Sequence, residues 1–310
     1  MATQSKQLDL PAMAAKPLGA GSAAPSLEGT SPASPLFITT SSCPYAQRTW
    51  LALEEAGLAY TPVFVDLKQK AEWHLAHNPF GRVPTLAWTA AASPPASSSP
   101  AAAAASATQS LYESLVCNEF VNDVSGGKLL PRGGGDPAAA AGARLLIDQF
   151  SQKFGPAFAG LMFSEDGGDK ASEAAGKMDE ALAFLEANTA DGGGSAAAAD
   201  GAPPRAPLFL LGGDGGAFTL ADAAIYPFLA RLAHALPRLS PLSAGKYGDL
   251  AAAGFPRVGA WLARTAARPG VRRTEVAPQG ASGYWAAMHE TYVEYRARQR
   301  AAMAAVAAAK

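Results

Sequence analysis

Residues 35–57 read PLFITTSSCPYAQRTWLALEEAG, and the change of period within them decides the fold. PLFITT (35–40) is a β-rich run, while Pro44 to Gly57 has helical spacing, with Trp50, Leu51, Leu53 and Leu58 on or near one apolar side and a glycine stop. A strand thus runs into a helix through Ser41-Ser42-Cys43-Pro44-Tyr45-Ala46-Gln47-Arg48. Pro44 takes the first-turn position, where its missing N–H costs nothing. Cys43 falls at the helix N-terminus, where unpaired N–H groups and the positive end of the helix dipole stabilise an anion. A thiol there is expected to be partly ionised at neutral pH and therefore nucleophilic. The competing reading is a cysteine packed as a small hydrophobe. Because residue 46 is alanine there is no Cys-x-x-Cys pair, so Cys43 would need an external thiol to resolve a disulfide.

Outward from this stretch, TPVFVDL (61–67) is a second strand, residues 69–77 a short polar helix, PTLAW (84–88) a third strand and SLY (110–112) a short fourth. A helix comes next, from about Ser114 to Asn122. The order is βαβ, then α, then ββα. GGKLLPRGGGDP (126–137) is turn-rich, and beyond it the pattern is helical over 138–163, 169–188, 219–236, 255–267 and 284–308. The expected organisation is an α/β domain over 35–128, a linker over 129–136 and an all-α domain over 137–310. Three stretches built of Ala, Ser, Gly and Pro with almost no large apolar residue are expected to be unstructured. They are an extension at 1–34, an insertion at 89–108 in the first domain and a loop insertion at 190–206 in the second.

The 310 residues are 49% hydrophobic and 16% charged, with a formal net charge of -1. No dense Lys/Arg cluster offers a field for a polyanion, so no nucleic-acid partner is expected. Two cysteines, Cys43 and Cys117, exclude a disulfide scaffold and a four-cysteine zinc site, and they suit a reducing compartment. Apolar runs such as the alanine tracts 101–105 and 196–199 are too short to span a bilayer, and no stable membrane insertion is expected. The N-terminus lacks the apolar core of a secretory signal and carries Asp9 and Glu28. The cytosol is the expected location, with the plastid as the alternative.

Two further motifs carry chemistry. In Asn78-Pro79-Phe80-Gly81-Arg82-Val83-Pro84-Thr85-Leu86, a proline opens a strand. If the Val83–Pro84 bond is cis, the Val83 backbone is left free to pair with an extended peptide ligand; otherwise the segment is an ordinary turn. In Tyr112-Glu113-Ser114-Leu115, a strand passes into a helix near Ser114. A hydroxyl, helix N–H groups and a carboxylate can together hold the carboxylate and ammonium of a free amino-acid end. A plain serine cap is the simpler reading.

Taken with Leu67-Lys68-Gln69-Lys70-Ala71-Glu72-Trp73 and Gly126-Gly127-Lys128-Leu129-Leu130-Pro131, these motifs resemble the omega class of glutathione transferases in order and spacing, apart from the 89–108 insertion. The plant lambda class is the nearest alternative. The resemblance is dense over 35–131 and thinner over 137–275, where Phe218-Thr219-Leu220-Ala221-Asp222 resembles the capping box of a core helix. It implies the glutathione transferase fold, a thioredoxin-like N-terminal domain with a helical C-terminal domain, and glutathione as co-substrate without a metal. Cys43 would form a mixed disulfide with glutathione. The backbone of Val83, beside Pro84, would pair with the cysteinyl part, Glu113 and Ser114 would hold the γ-glutamyl end, and Lys70 the glycyl carboxylate. Pro44 and Pro84 would shape the site. The second substrate would be a small molecule or a glutathionylated protein, and the fold leaves room for a homodimer. A carrier that holds hydrophobic ligands without turning them over is the competing function, although it has no need of a reactive thiol.

Other polar residues attract blander readings. Tyr45 is a second donor near the sulfur or a packing residue. His74 and His77 suit a solvated helix face better than a metal site, and Cys117 an inert core position. The tail stripe Tyr284, Trp285, Tyr292, Tyr295 suits packing, and Arg296, Arg298 and Arg300 a solvated helix end.

Overall fold

The computed structural model describes residues 8–90, 107–130, 137–164, 168–189, 217–239, 246–278 and 282–308. Nearly all of the 89–108 insertion, the whole of the 190–206 insertion and most of the 129–136 linker lie outside them. The chain divides into two units, 1–127 and 128–310.

In the first unit a helix α1 (Leu10–Ala15) precedes β1 (Leu36–Thr39), α2 (Pro44–Ala56), β2 (Thr61–Phe64), α3 (Glu72–His77), β3 (Thr85–Thr89), β4 (Thr108–Tyr112) and α4 (Ser114–Val124). The strands form one sheet in the order β2-β1-β3-β4. β1 runs parallel to β2 and antiparallel to β3, and β3 is antiparallel to β4. Every residue of β1 is buried, as a strand covered on both faces requires. α2 starts with Pro44 at its first turn and stops at Gly57, whose left-handed φ of 69° lets its N–H reach the carbonyls of Glu54 and Leu53. The helix is buried on most sides, Gln47, Arg48 and Thr49 included, so its buried face is wider than its apolar spacing implies. β3 and β4 extend one residue each into the expected insertion, pairing Thr89 with Thr108.

The expectation of an unstructured extension does not hold for residues 8–34. Leu18 bridges Val65 beside the open edge of β2: its carbonyl accepts the Asp66 N–H (2.9 Å), and its own N–H donates to the Phe64 carbonyl (2.8 Å). Leu18 and Leu27 pack on the core, and the Thr89 hydroxyl donates to the Leu27 carbonyl at 3.0 Å. An edge strand offers backbone groups to any neighbouring segment, so a chain poor in apolar residues can still be ordered there.

The second unit is helical: α5 (Pro137–Phe163), α6 (Asp169–Asn188), α7 (Leu220–His234), α8 (Pro256–Ala266), α9 (Pro269–Thr274) and α10 (Tyr284–Ala308). α7 is buried from Leu220 to Ala233, as a helix apolar nearly all round must be. It opens on the capping box of Thr219 and Asp222. α6 caps α8, since the carboxylate of Glu186 accepts the N–H groups of Arg257 and Val258, each at 2.9 Å. α9 has no counterpart in the sequence expectation. Tyr284, Met288 and Tyr292 of α10 are buried. Arg296 is not a solvated end: it donates to the carbonyls of Leu239 (2.7 Å) and Ser164 (3.0 Å), and Arg300 also donates to Ser164 (3.0 Å). The Ser164 carbonyl, just beyond the end of α5, thereby gains two charged donors. Among the described residues no helix is long and apolar enough to cross a membrane.

Candidate functional site

Cys43 is the N-cap residue of α2, in extended conformation (φ -83°, ψ 121°), and its carbonyl accepts the Gln47 N–H at 3.0 Å. The residue is half-buried and not in a disulfide. Its Sγ lies 3.9 Å from the Val83 carbonyl oxygen, so the thiol faces the turn that opens β3. The Val83–Pro84 bond is cis. Among the described residues, the Val83 N–H makes no hydrogen bond, which leaves it for an extended ligand.

The turn is held from behind by side chains that look unremarkable in the sequence. The Asn78 amide donates to the Arg82 carbonyl (3.0 Å) and to the Thr85 hydroxyl (3.1 Å). His74 is buried rather than on a solvated face, and its Nε2 lies 3.1 Å from the same carbonyl. A carbonyl only accepts, so Nε2 carries the proton and Nδ1 is bare; Nδ1 is buried without a hydrogen-bond partner among the described residues. Burial lowers the pKa of His74, the Arg82 carbonyl opposes this, and the Lys70 charge adds to the lowering. His77, bonded to the Ser110 hydroxyl at 2.8 Å, is lowered too by burial and by His74.

These lowered values make stability depend on pH. As pH falls, the unfolded chain takes up protons at these histidines near pH ~6.5 and the folded chain only lower. Their contribution is therefore whole above about pH 6.5 and is lost below it. Between pH 7.5 and 5.5 the wild type should lose stability through this route, and His74→Gln should lose less. Urea midpoints of both proteins at the two pH values check this; equal pH dependence would show that His74 does not titrate differently on folding.

Lys70 is exposed in the loop before α3, not on the helix itself, where Ala71 is the cap. Its Nζ lies 3.4 Å from the Phe80 carbonyl. It lies across Gly81, at which φ is +56° and a Cβ would meet Lys70 Cδ at 2.6 Å, so only glycine admits this arrangement.

On the other flank, Glu113 rather than Ser114 is the N-cap of α4, and its φ of 70° is the one positive value at a non-glycine residue among those described. Such strain concentrates at functional sites. Glu113 is exposed and makes no capping bond, so its carboxylate is available. Ser114 is buried one residue on, with its Oγ 3.5 Å from Arg48 Nη1, and its carbonyl accepts the Thr49 hydroxyl at 3.3 Å. Arg48 is 4% exposed, and the Tyr45 ring lies over its guanidinium at 5.3 Å. Sequence reasoning misses the burial of this cation; the one available hint is an arginine just ahead of the apolar residues that begin at Trp50.

Cys117 is buried, and burial above all, with the Glu113 charge, pushes its thiol up to about 12. It is therefore a poor nucleophile. Among the described residues no group of three or more His, Cys, Asp or Glu side chains could hold a metal ion.

This architecture, a four-stranded mixed sheet with a helix-capping cysteine beside a cis-proline turn, followed by a helical unit, is that of a glutathione transferase. The family model "Glutathione S-transferase, N-terminal domain" matches residues 42–124, and "Glutathione S-transferase, C-terminal domain" matches 168–264. The chain belongs to the glutathione transferase family. Its similar relatives include glutathione S-transferase omega-2 of Rattus norvegicus, 31% identical over 109 residues, which are 35% of this chain and 36% of that one. Pyrimidodiazepine synthase of Drosophila melanogaster is 31% identical over 127 residues, 41% of this chain and 44% of that one. The matches thus span less than half the length of these relatives. The crystal structure of glutathione transferase Omega 1C from Trametes versicolor has a TM-score of 0.61 at 25% identity, covering 85% of this chain and 96% of that one.

Proposed function

We propose that the protein is an omega-like, glutathione-dependent thioltransferase and reductase that works through a mixed disulfide on Cys43. The observation that carries this reading is the thiol at the N-terminus of α2, 3.9 Å from the Val83 carbonyl. Helix N–H groups and the dipole favour the thiolate there. The Cys43 thiolate attacks the glutathionyl sulfur of a mixed disulfide, the substrate thiolate leaves and takes a proton, and Cys43 is left joined to glutathione. The thiolate of a second glutathione attacks that disulfide, releasing oxidised glutathione and restoring the Cys43 thiolate. Deglutathionylation is this step itself. With an S-glutathionyl ketone the Cys43 thiolate attacks the thioether sulfur, and the α-carbon leaves as an enolate that takes a proton. With dehydroascorbate the thiolate adds to a carbonyl, and a glutathione thiolate then attacks that sulfur, releasing ascorbate and leaving the same Cys43–glutathione disulfide. This chemistry suits a reducing compartment such as the cytosol.

In this reading glutathione lies extended along the turn. The Val83 backbone pairs with its cysteinyl part, Glu113 and Ser114 take the γ-glutamyl ammonium and carboxylate, and Lys70 takes the glycyl carboxylate. Mass spectrometry after incubation with oxidised glutathione should find one glutathionyl adduct, on the peptide containing Cys43. An adduct on Cys117, or none, would sink the mechanism.

The two charged contacts differ in expected weight. Glu113 is set by backbone beside a helix N-terminus, where a charge-assisted bond to the ammonium, closed off on binding, is worth about 1.5–3 kcal/mol. Lys70 is on an exposed loop, where an ion pair is worth roughly 0–1 kcal/mol. Calorimetric titration with an S-alkyl glutathione should show Glu113→Ala weakening binding about tenfold and Lys70→Ala only a few-fold. The reverse order would mean that the γ-glutamyl end is misplaced.

A further inference from the structure

We propose that Arg48 is a positioning residue of this site, holding Ser114 for the γ-glutamyl carboxylate and favouring the thiolate of Cys43. The inference rests on the glutathione reading above. A buried guanidinium is costly to desolvate and is retained where its charge and donors are used. Arg48 is almost fully buried on α2, the helix that Cys43 caps, and it reaches across to α4.

A guanidinium can only donate, so in the Arg48 Nη1 to Ser114 Oγ contact at 3.5 Å the serine oxygen accepts. The hydroxyl hydrogen is then directed away from Arg48 and is open to a ligand carboxylate. The next residue, Thr49, shares its one hydroxyl hydrogen between Asn118 Oδ1 at 3.0 Å and the Ser114 carbonyl at 3.3 Å. Two consecutive residues of the thiol-bearing helix therefore hold both the side chain and the backbone of Ser114, joining the two ends of the site.

The charge acts on the thiol as well, since Arg48 follows the cap residue Cys43 by five positions on the same helix, about 7.5 Å along its axis. Burial lowers the pKa of Arg48 to about 10, and Tyr45 and Cys43 pull against that, so the group remains a cation at neutral pH. That attraction is mutual: a cation that is favoured by an ionised Cys43 favours that ionisation equally. The Tyr45 ring, 52% exposed, covers the guanidinium on the outside and limits screening by water.

The test is the pH profile of Cys43 alkylation by iodoacetamide, with S-hexylglutathione affinity, in wild type, Arg48→Met, Arg48→Lys, Ser114→Ala and the Arg48→Lys/Ser114→Ala double variant. The wild-type midpoint should lie below the ordinary thiol value of about 8.5. Arg48→Met should raise it by about one pH unit and weaken binding about tenfold. Arg48→Lys keeps the charge but not the planar fork, so the midpoint should stay near wild type while binding weakens a few-fold. In the Ser114→Ala background the lysine substitution should add nothing, because its effect runs through that hydroxyl. An unchanged midpoint in a folded Arg48→Met would overturn the thiol half of the proposal. Should Arg48→Met fail to fold, a lysine variant with wild-type affinity, or with an additive loss on Ser114→Ala, overturns the Ser114 half, and a midpoint raised despite the retained charge overturns the thiol half. A wild-type midpoint at the ordinary thiol value would instead defeat the thiolate reading, whatever Arg48 does.

Discussion

Replacing Cys43 with serine should lower deglutathionylation and dehydroascorbate reduction by at least ~10³-fold, since the variant loses the nucleophile itself. A serine hydroxyl does not ionise near neutral pH, and it cannot form a disulfide with glutathione. The substitution is nearly isosteric at a half-buried cap position with no side-chain capping bond, so the fold has little to lose. Cys117 cannot substitute, being buried with its thiol pushed up to about 12. A gain is expected in parallel: the serine hydroxyl can donate to the thiolate of bound glutathione, so conjugation to a generic aryl halide should rise. Both assays on purified wild type and Cys43→Ser, with melting curves to confirm folding, decide the matter. Full reductase activity in the variant would place catalysis elsewhere.

Asp222→Ala should be the most destabilising single change in the second unit, by about 3–5 kcal/mol. The carboxylate is fully buried and accepts three bonds: the Thr219 N–H (2.8 Å), the Thr219 hydroxyl (2.7 Å) and the Trp261 indole N–H (2.7 Å). Two of these fix the start of α7, the most completely buried helix of the unit, and the third ties α8 to it. Alanine leaves these donors buried without an acceptor, each worth roughly 1–3 kcal/mol. A fall in melting temperature of about 10 °C is expected. Thr219→Ala keeps the Trp261 bond and should lose only about 1 kcal/mol. If Asp222→Ala melts within a degree or two of wild type, water or a neighbouring group must satisfy those donors.

The capping box marks the limit of local information. Thr219 and Asp222 are three residues apart, and that spacing alone identifies the start of a helix. Trp261 lies 39 residues further on, and nothing near it in the chain marks its partner. The same division holds in the first unit. Pro44, Gly57 and the change of period between strand and helix are local signals, and they suffice to put the thiol at a helix N-terminus. The residues proposed to hold glutathione are named through motif resemblance, whereas the side chains that support them are not. Arg48 and His74 read as ordinary polar positions on helices, and Arg296 as a solvated end.

Whether a polar side chain meets water or a carbonyl depends on the element packed over it, and that element is distant in sequence. Residues 8–34 are the converse case. Their composition predicts disorder because it contains too little apolar surface to fold alone, but the open edge of β2 supplies backbone partners that no composition records. Sequence by itself determined the features set by short-range geometry: period, caps, turns and the thiol's position. Tertiary structure decided which charges are buried and what they hold, because desolvation and hydrogen bonding are set by neighbours brought together only in the folded chain.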